Sequence, residues 1–186
     1  MIQVHHAHSG PDVVLAAGLR SPWVRAGGAF KGEDAAHLAS AVAKELLVRT
    51  GIEPGDFDEV IAGSVGPPHD QANVGRVIAL RAGVPRHVPA RTVARNCASG
   101  IEAITTAATA IKGGVGELYL TLGVEVMSAY PLLFNEKMTG LFAGLMRAKT
   151  PVQKLKRIAS FRPSFLAPRV ALMEGLTDPI SALLMG

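Results

Sequence analysis

The sequence predicts an α/β fold built on a parallel sheet with helices on both faces. Three observations carry that expectation. Strand-length apolar runs alternate with stretches of helical periodicity, short connections bearing glycine or proline separate them, and each run is continuously apolar rather than alternating. Continuous apolar runs belong to strands buried on both faces, and short strand-to-helix connections leave right-handed βαβ units as the solution. With 186 residues, 48% hydrophobic and 18% charged, the chain can bury a core of this kind.

The first strand is expected at Val13-Val14-Leu15-Ala16-Ala17, followed by a loop punctuated by Pro22, Gly27 and Gly28. Asp34 reads as an N-cap for a first helix, with Ala35, Leu38, Val42 and Leu46 as its buried stripe and Gly51 as its stop. Val60-Ile61-Ala62-Gly63 is the second strand. A second helix fits residues 71–82, with Val74, Val77 and Ile78 inward and Gly83 at C′. Residues 89–93 form the third strand, residues 98–112 the third helix with a stripe of Ile101, Ile104, Ala108 and Ile111, and residues 118–122 the fourth strand. After Gly123 no βα repeat continues: Pro131, Pro151, Pro163, Pro168 and Pro179 break the chain, and helical pieces are expected only at 140–148 and 152–160. Residues 1–124 are therefore expected to form one domain and 125–186 a separate subdomain.

Composition excludes several function classes. One cysteine cannot make an internal disulfide, so a reducing, cytoplasmic setting is the default expectation. No apolar run approaches the ~18 residues of a membrane span and the N-terminus lacks a signal-peptide pattern, so no membrane partner is expected. An aromatic share of 5% argues against a base-stacking surface, and no nucleic-acid partner is expected. His5, His6 and His8 have no further ligand nearby in sequence, so no metal is expected. Net charge is +4, concentrated in residues 137–169, where eight Lys or Arg (137, 147, 149, 154, 156, 157, 162, 169) meet no Asp or Glu. That tract suits a solvated face, a phosphorylated ligand, an acidic partner or nucleic acid.

Cys97 falls at a strand-to-helix turn, just past the third strand, on the edge of a parallel sheet where ligands gather. A helix N-terminus offers unpaired N–H groups and about half a positive charge, both of which favour a thiolate. Residue type alone fits equally a small buried apolar side chain. Among His37, His69 and His87, only His69 lies in a loop on the same edge and is the candidate base.

Five stretches together resemble the thiolase family of acetyl-CoA acyltransferases: Arg20-Ser21-Pro22-Trp23-Val24-Arg25 with Gly27-Gly28-Ala29-Phe30; Gln71-Ala72-Asn73-Val74-Gly75-Arg76; Asn96-Cys97-Ala98-Ser99-Gly100; Gly123-Val124-Glu125-Val126-Met127-Ser128; and Glu174-Gly175-Leu176-Thr177-Asp178 with Met185-Gly186. The resemblance implies a thiolase-like N-terminal domain of strand order 3-2-1-4-5 with four of its five strands present, plus part of an inserted loop domain. It implies CoA thioesters as substrates, no cofactor, Cys97 as acyl-accepting nucleophile with its backbone N–H as oxyanion donor, and Met185 in the acyl pocket. Leu184 stands where many members carry histidine. A homodimer paired through Pro89-Ala90-Arg91-Thr92-Val93 is also implied. The family's histidine base, second catalytic cysteine and asparagine-bearing oxyanion site have no counterpart in these 186 residues, which are expected to be an N-terminal portion. A non-catalytic CoA- or partner-binding module is the alternative.

Overall fold

The computed structural model describes residues 12–185, so His5, His6 and His8 lie outside the described residues. The chain divides into two compact units, Met1–Ala129 and Tyr130–Gly186.

In the first unit three parallel strands, β1 (Glu59–Gly63), β2 (Ala90–Val93) and β3 (Tyr119–Gly123), lie in the order β2-β1-β3. Because side chains of a strand alternate, Val60 and Ala62 point to one face and Ile61 to the other. Val60 and Ala62 pack with Ala36, Ala39, Ala43 and Leu47 of α1 (Ala35–Thr50) and with Val74, Ile78 and Ala79 of α2 (Val74–Ala82). Ile61 packs with Ala103 and Ala107 of α3 (Ser99–Lys112). These are three layers, helix, sheet and helix, with β1 fully enclosed.

Local chemistry sets the helix ends. Asp34 accepts from Ala36 N at 2.9 Å, and Gly51 closes α1 at φ 68° while donating to Leu47 O. Asn73 does more than cap α2. Its Oδ1 accepts from Arg76 N and from Thr92 Oγ1, and its Nδ2 donates to Ala90 O, which ties the start of α2 to β2. Gly75 is needed where α2 touches that strand, since a Cβ there would meet Arg91 O at 2.3 Å.

The structure corrects the sequence reading in three places. Among the described residues the parallel sheet has three strands, not four: residues 13–17 pair with nothing, and Val14 and Leu15 are 77% and 76% exposed. The expected 3-2-1-4-5 order also fails, because the second and fourth expected strands are direct neighbours and both edges of β1 are occupied. Residues 13–17 instead line a cleft beside the outer edge of β3 and make no ladder with it. Finally, the buried faces of α1 and α3 are their small-residue faces. Leu38, Val42 and Leu46, and likewise Ile104, Ala108 and Ile111, line two adjoining clefts of about 670 and about 140 Å³ between residues 13–24 and the outer edge of β3.

Asp58 anchors the entry to the sheet. Its Oδ2 accepts from Glu117 N at 2.7 Å and Leu118 N at 2.9 Å, while its own N–H donates to Leu118 O, so the starts of β1 and β3 are fastened together. The N–H groups of Leu118 and Glu117 hold the Asp58 carboxyl below its ordinary value of 3.8. A carboxyl depressed in the folded state contributes stability above its unfolded pKa and loses it as pH falls through the folded one. Asp58→Asn should therefore be less stable than the parent at neutral pH and should lose less on acidification below 3.8, as urea titrations at pH 7 and pH 3 will show.

In the second unit, β4 (Leu132–Leu133) pairs antiparallel with β5 (Arg169–Val170), α4 (Glu136–Arg147) and α5 (Pro151–Ala159) form a hairpin, and α6 (Ala171–Gly175) follows. Asn135 caps α4 through Met138 N and donates to Ser164 O and Ala167 O, while Thr150 caps α5 with Pro151 in its first turn. Both expected helical pieces are present, each starting earlier than its apolar pattern.

Candidate active site

Strands β1, β2 and β3 end level with one another, Gly63 opposite both Val93 and Gly123. The segments that follow all leave from that carboxyl edge. After β2 the chain makes a tight turn through Arg95, Asn96, Cys97 and Ala98 into α3. Asn96 takes φ 45°, a left-handed conformation that asparagine tolerates better than most residues. Ala98 N donates to Arg95 O and Ser99 N to Asn96 O.

Ser99 is the clasp of this turn. It is buried, and its Oγ donates to Asn96 O at 2.7 Å and accepts from Arg95 N at 2.8 Å. The thiol of Cys97, two residues before the first helical residue, is free and exposed. Exposure disposes of the core-filler reading. Ser99→Ala removes both side-chain bonds, leaving Arg95 N–H without that acceptor while Asn96 O keeps the N–H of residue 99, so unfolding by urea should show a loss of about 1 kcal/mol.

Gly63 lets the helix start approach the sheet, since a Cβ there would lie 2.1 Å from Ser99 O. Gly100 and Gly123 repeat the arrangement, a Cβ on Gly123 falling 3.0 Å from Gly100 Cα. Glu125, just past β3, fastens the segment after β1. Its Oε1 accepts from Ser64 Oγ at 2.9 Å and Gly66 N at 3.2 Å, and its Oε2 accepts from Val65 N at 3.1 Å. An ion pair of 2.8 Å joins Arg95 to Glu102 across the first turns of α3.

The remaining sequence candidates are placed as follows. His69 is exposed in the turn after β1, His37 on the outer face of α1, and His87 before β2. No contact joins any of the three to Cys97 among the described residues. Met185 lies in the second unit, 51% exposed, with its N–H donating to Leu176 O at 2.7 Å. Among the described residues no group of three His, Cys, Asp or Glu is arranged to hold a metal. Sequence reasoning passed over the roles of Ser64, Ser99 and Glu125. The available signal was a single carboxylate two residues beyond an apolar strand, at Glu125.

The arrangement offers one accessible nucleophile, on a clamped turn at a helix start. Residues 13–164 match the family model described as thiolase, N-terminal domain. A 3-ketoacyl-CoA thiolase of Pectobacterium carotovorum subsp. carotovorum is 32% identical over 86% of this chain and 36% of that protein. The mitochondrial trifunctional enzyme subunit beta of Bos taurus is 35% identical over 86% of this chain and 34% of that protein. Among solved structures, the Bacillus anthracis acetyl-CoA acetyltransferase superposes with TM-score 0.68 at 34% identity, over 86% of this chain and 36% of that one. Human mitochondrial 3-ketoacyl-CoA thiolase, solved in complex with CoA, gives 0.66 at 27% identity over the same shares. The chain spans about a third of the length of the curated relatives it matches.

Proposed function

The chain belongs to the thiolase family, and from that premise we propose that it serves an acyl-CoA acyltransferase reaction with Cys97 as the acyl acceptor. In condensation the Cys97 sulfur attacks the thioester carbonyl of an acyl-CoA, a new sulfur–acyl bond forms, the bond to the CoA sulfur breaks, and the thiol proton ends on CoA. In thiolysis it attacks the 3-keto carbonyl of a 3-ketoacyl-CoA, the bond between that carbon and C2 breaks, and the proton ends on C2 of the acetyl-CoA released. The acyl group then passes from Cys97 to a second acceptor, CoA in thiolysis or a second acyl-CoA in condensation. Dividing the transfer into two steps is the advantage of a covalent intermediate. The backbone N–H of Cys97 at the start of α3 is the proposed donor to the developing oxyanion. Met185 is proposed to line the acyl pocket, residues 125–186 to belong to the loop domain, and the outer edge of β2 to pair two copies.

The observation that carries this reading is the exposed thiol of Cys97, held on the turn that Ser99 clamps at the carboxyl edge of the sheet. The test is intact-mass and peptide spectrometry after incubation with acetyl-CoA. One acetyl group on Cys97 is the expected result. CoA binding without any adduct would instead favour the non-catalytic binding module.

A further inference from the structure

Two carboxylates fasten β1 to β3, one at each end of the strands. Asp58 does so at their amino ends, through Glu117 N and Leu118 N. Glu125 does so at their carboxyl ends, on the edge that carries Cys97. Among the described residues the donors that reach Glu125 come from one short segment, Ser64 Oγ and Gly66 N on one oxygen and Val65 N on the other. That segment adjoins the turn before α3. Ser64 is buried, and its N–H donates to Val93 O at 3.1 Å, where β2 ends and the chain turns toward Cys97. Gly63 lies against the start of α3, where a Cβ would meet Ser99 O at 2.1 Å and Gly100 N at 2.8 Å. Ser99 in turn bonds to Arg95 N and Asn96 O, just ahead of the thiol. The contact between Gly63 and Ser99 is backbone on backbone, so a shift of residues 63–66 is passed to the turn and is not absorbed by a side chain.

We propose that Glu125 is a positioning residue for Cys97. It fixes residues 64–66, against which the turn rests, and through Ser99 it holds the Cys97 sulfur and backbone N–H in alignment with the thioester carbonyl. The role rests on the reading of Cys97 as acyl acceptor. A carboxylate is needed because both of its oxygens accept. Glutamine in its place sets an amide NH2 against one of these donors in either orientation. Beside Ser64 and Gly66 the hydroxyl can turn and accept, but Gly66 N–H cannot. Beside Val65 there is only the backbone N–H. One backbone donor therefore loses its acceptor, and the segment moves to recover one. Because attack depends steeply on alignment, a displacement of about 1 Å costs on the order of 10²-fold in rate.

The experiment follows acetyl transfer from acetyl-CoA to Cys97 by intact mass, over a range of acetyl-CoA concentrations, with rates taken per folded molecule from circular dichroism. Alkylation of Cys97 by iodoacetamide, which needs an accessible thiol and no oxyanion donor, is measured alongside. Glu125→Gln should lower the maximal acetylation rate by at least ~10-fold, with the half-saturating concentration and the alkylation rate within ~2-fold of the parent. Ser64→Ala removes one of the donors and should lower the maximal rate ~3-fold. Ser64→Ala/Glu125→Gln should be within ~2-fold of Glu125→Gln alone, since both changes loosen the same segment. Asp58→Asn, which loosens the other end of the same two strands, should acetylate at the parent rate. Equal losses in Glu125→Gln and Asp58→Asn would make the role structural and overturn the proposal. So would a parent-like maximal rate in Glu125→Gln, or alkylation that falls as far as acetylation does. If Glu125→Gln does not fold, a parent-like rate in Ser64→Ala overturns it instead. A parent chain that is alkylated but never acetylated would overturn the acyl-acceptor reading and this role with it, whereas acetylation undiminished in Glu125→Gln overturns this role alone.

Discussion

Gly63→Ala should destabilise the first unit by more than ~3 kcal/mol, beyond the usual range for an overpacked core. The new methyl carbon would lie 2.1 Å from Ser99 O, 2.3 Å from Ser99 C and 2.8 Å from Gly100 N. All three are backbone atoms, so no side-chain rotation can relieve the contact. Either α3 lifts from β1, exposing Ile61, Ala103 and Ala107, or the turn that presents Cys97 opens. Gly140→Ala in α4 is the control, because its Cβ meets nothing within 4 Å and alanine in a helix interior should stabilise by ~1 kcal/mol. Urea unfolding of the two variants against the parent is the measurement. Parent-like stability of Gly63→Ala would mean that the close approach of β1 and α3 is not maintained in solution.

Cys97→Ser should reduce acetyl labelling by ~10⁴-fold or more, the scale on which removal of a covalent nucleophile acts. Serine keeps the size and the turn but brings a hydroxyl that is a poor nucleophile without a neighbouring base. Since Cys97 is exposed and packs into no core cluster, the variant should unfold at the same urea concentration as the parent. That pair of results, labelling lost and stability kept, separates a chemical role from a structural one. Labelling that persists in Cys97→Ser would move the acyl-accepting group to another side chain.

Much of the fold was legible because its signals are local. Asp34 and Gly51 bound α1 where the residue types placed them, and three of the four expected strands are strands. Strand order was not legible, since residues 13–17 and residues 60–63 are alike in composition and pairing depends on neighbours far along the chain. The helix stripes were misread for a packing reason. A helix lying close to a sheet buries its small side chains, here Ala36, Ala39 and Ala43 in α1 and Ala103 and Ala107 in α3, and turns the larger ones aside into the clefts. At the site, Cys97 stood out as the single residue of its kind. Glu125 and Ser64 are separated by 61 residues, and only the folded chain shows that one fastens the other.

The outer edge of β3 has a consequence of its own. Leu118 and Val124 direct their backbone groups to β1, so by alternation Tyr119, Thr121 and Gly123 direct theirs outward. The outer strand on the other side, β2, carries Arg91, ion-paired with Glu59, and charge on an edge resists stray pairing. The β3 edge carries no charge, and clefts lie beside it. Association through β2 about a two-fold axis would close on itself at two copies, whereas an extended chain lodging beside β3 would offer no self-complementary end and could recruit further copies without limit. The two edges of one small sheet therefore differ in chemistry, a paired charge on β2 and an uncharged strand at β3.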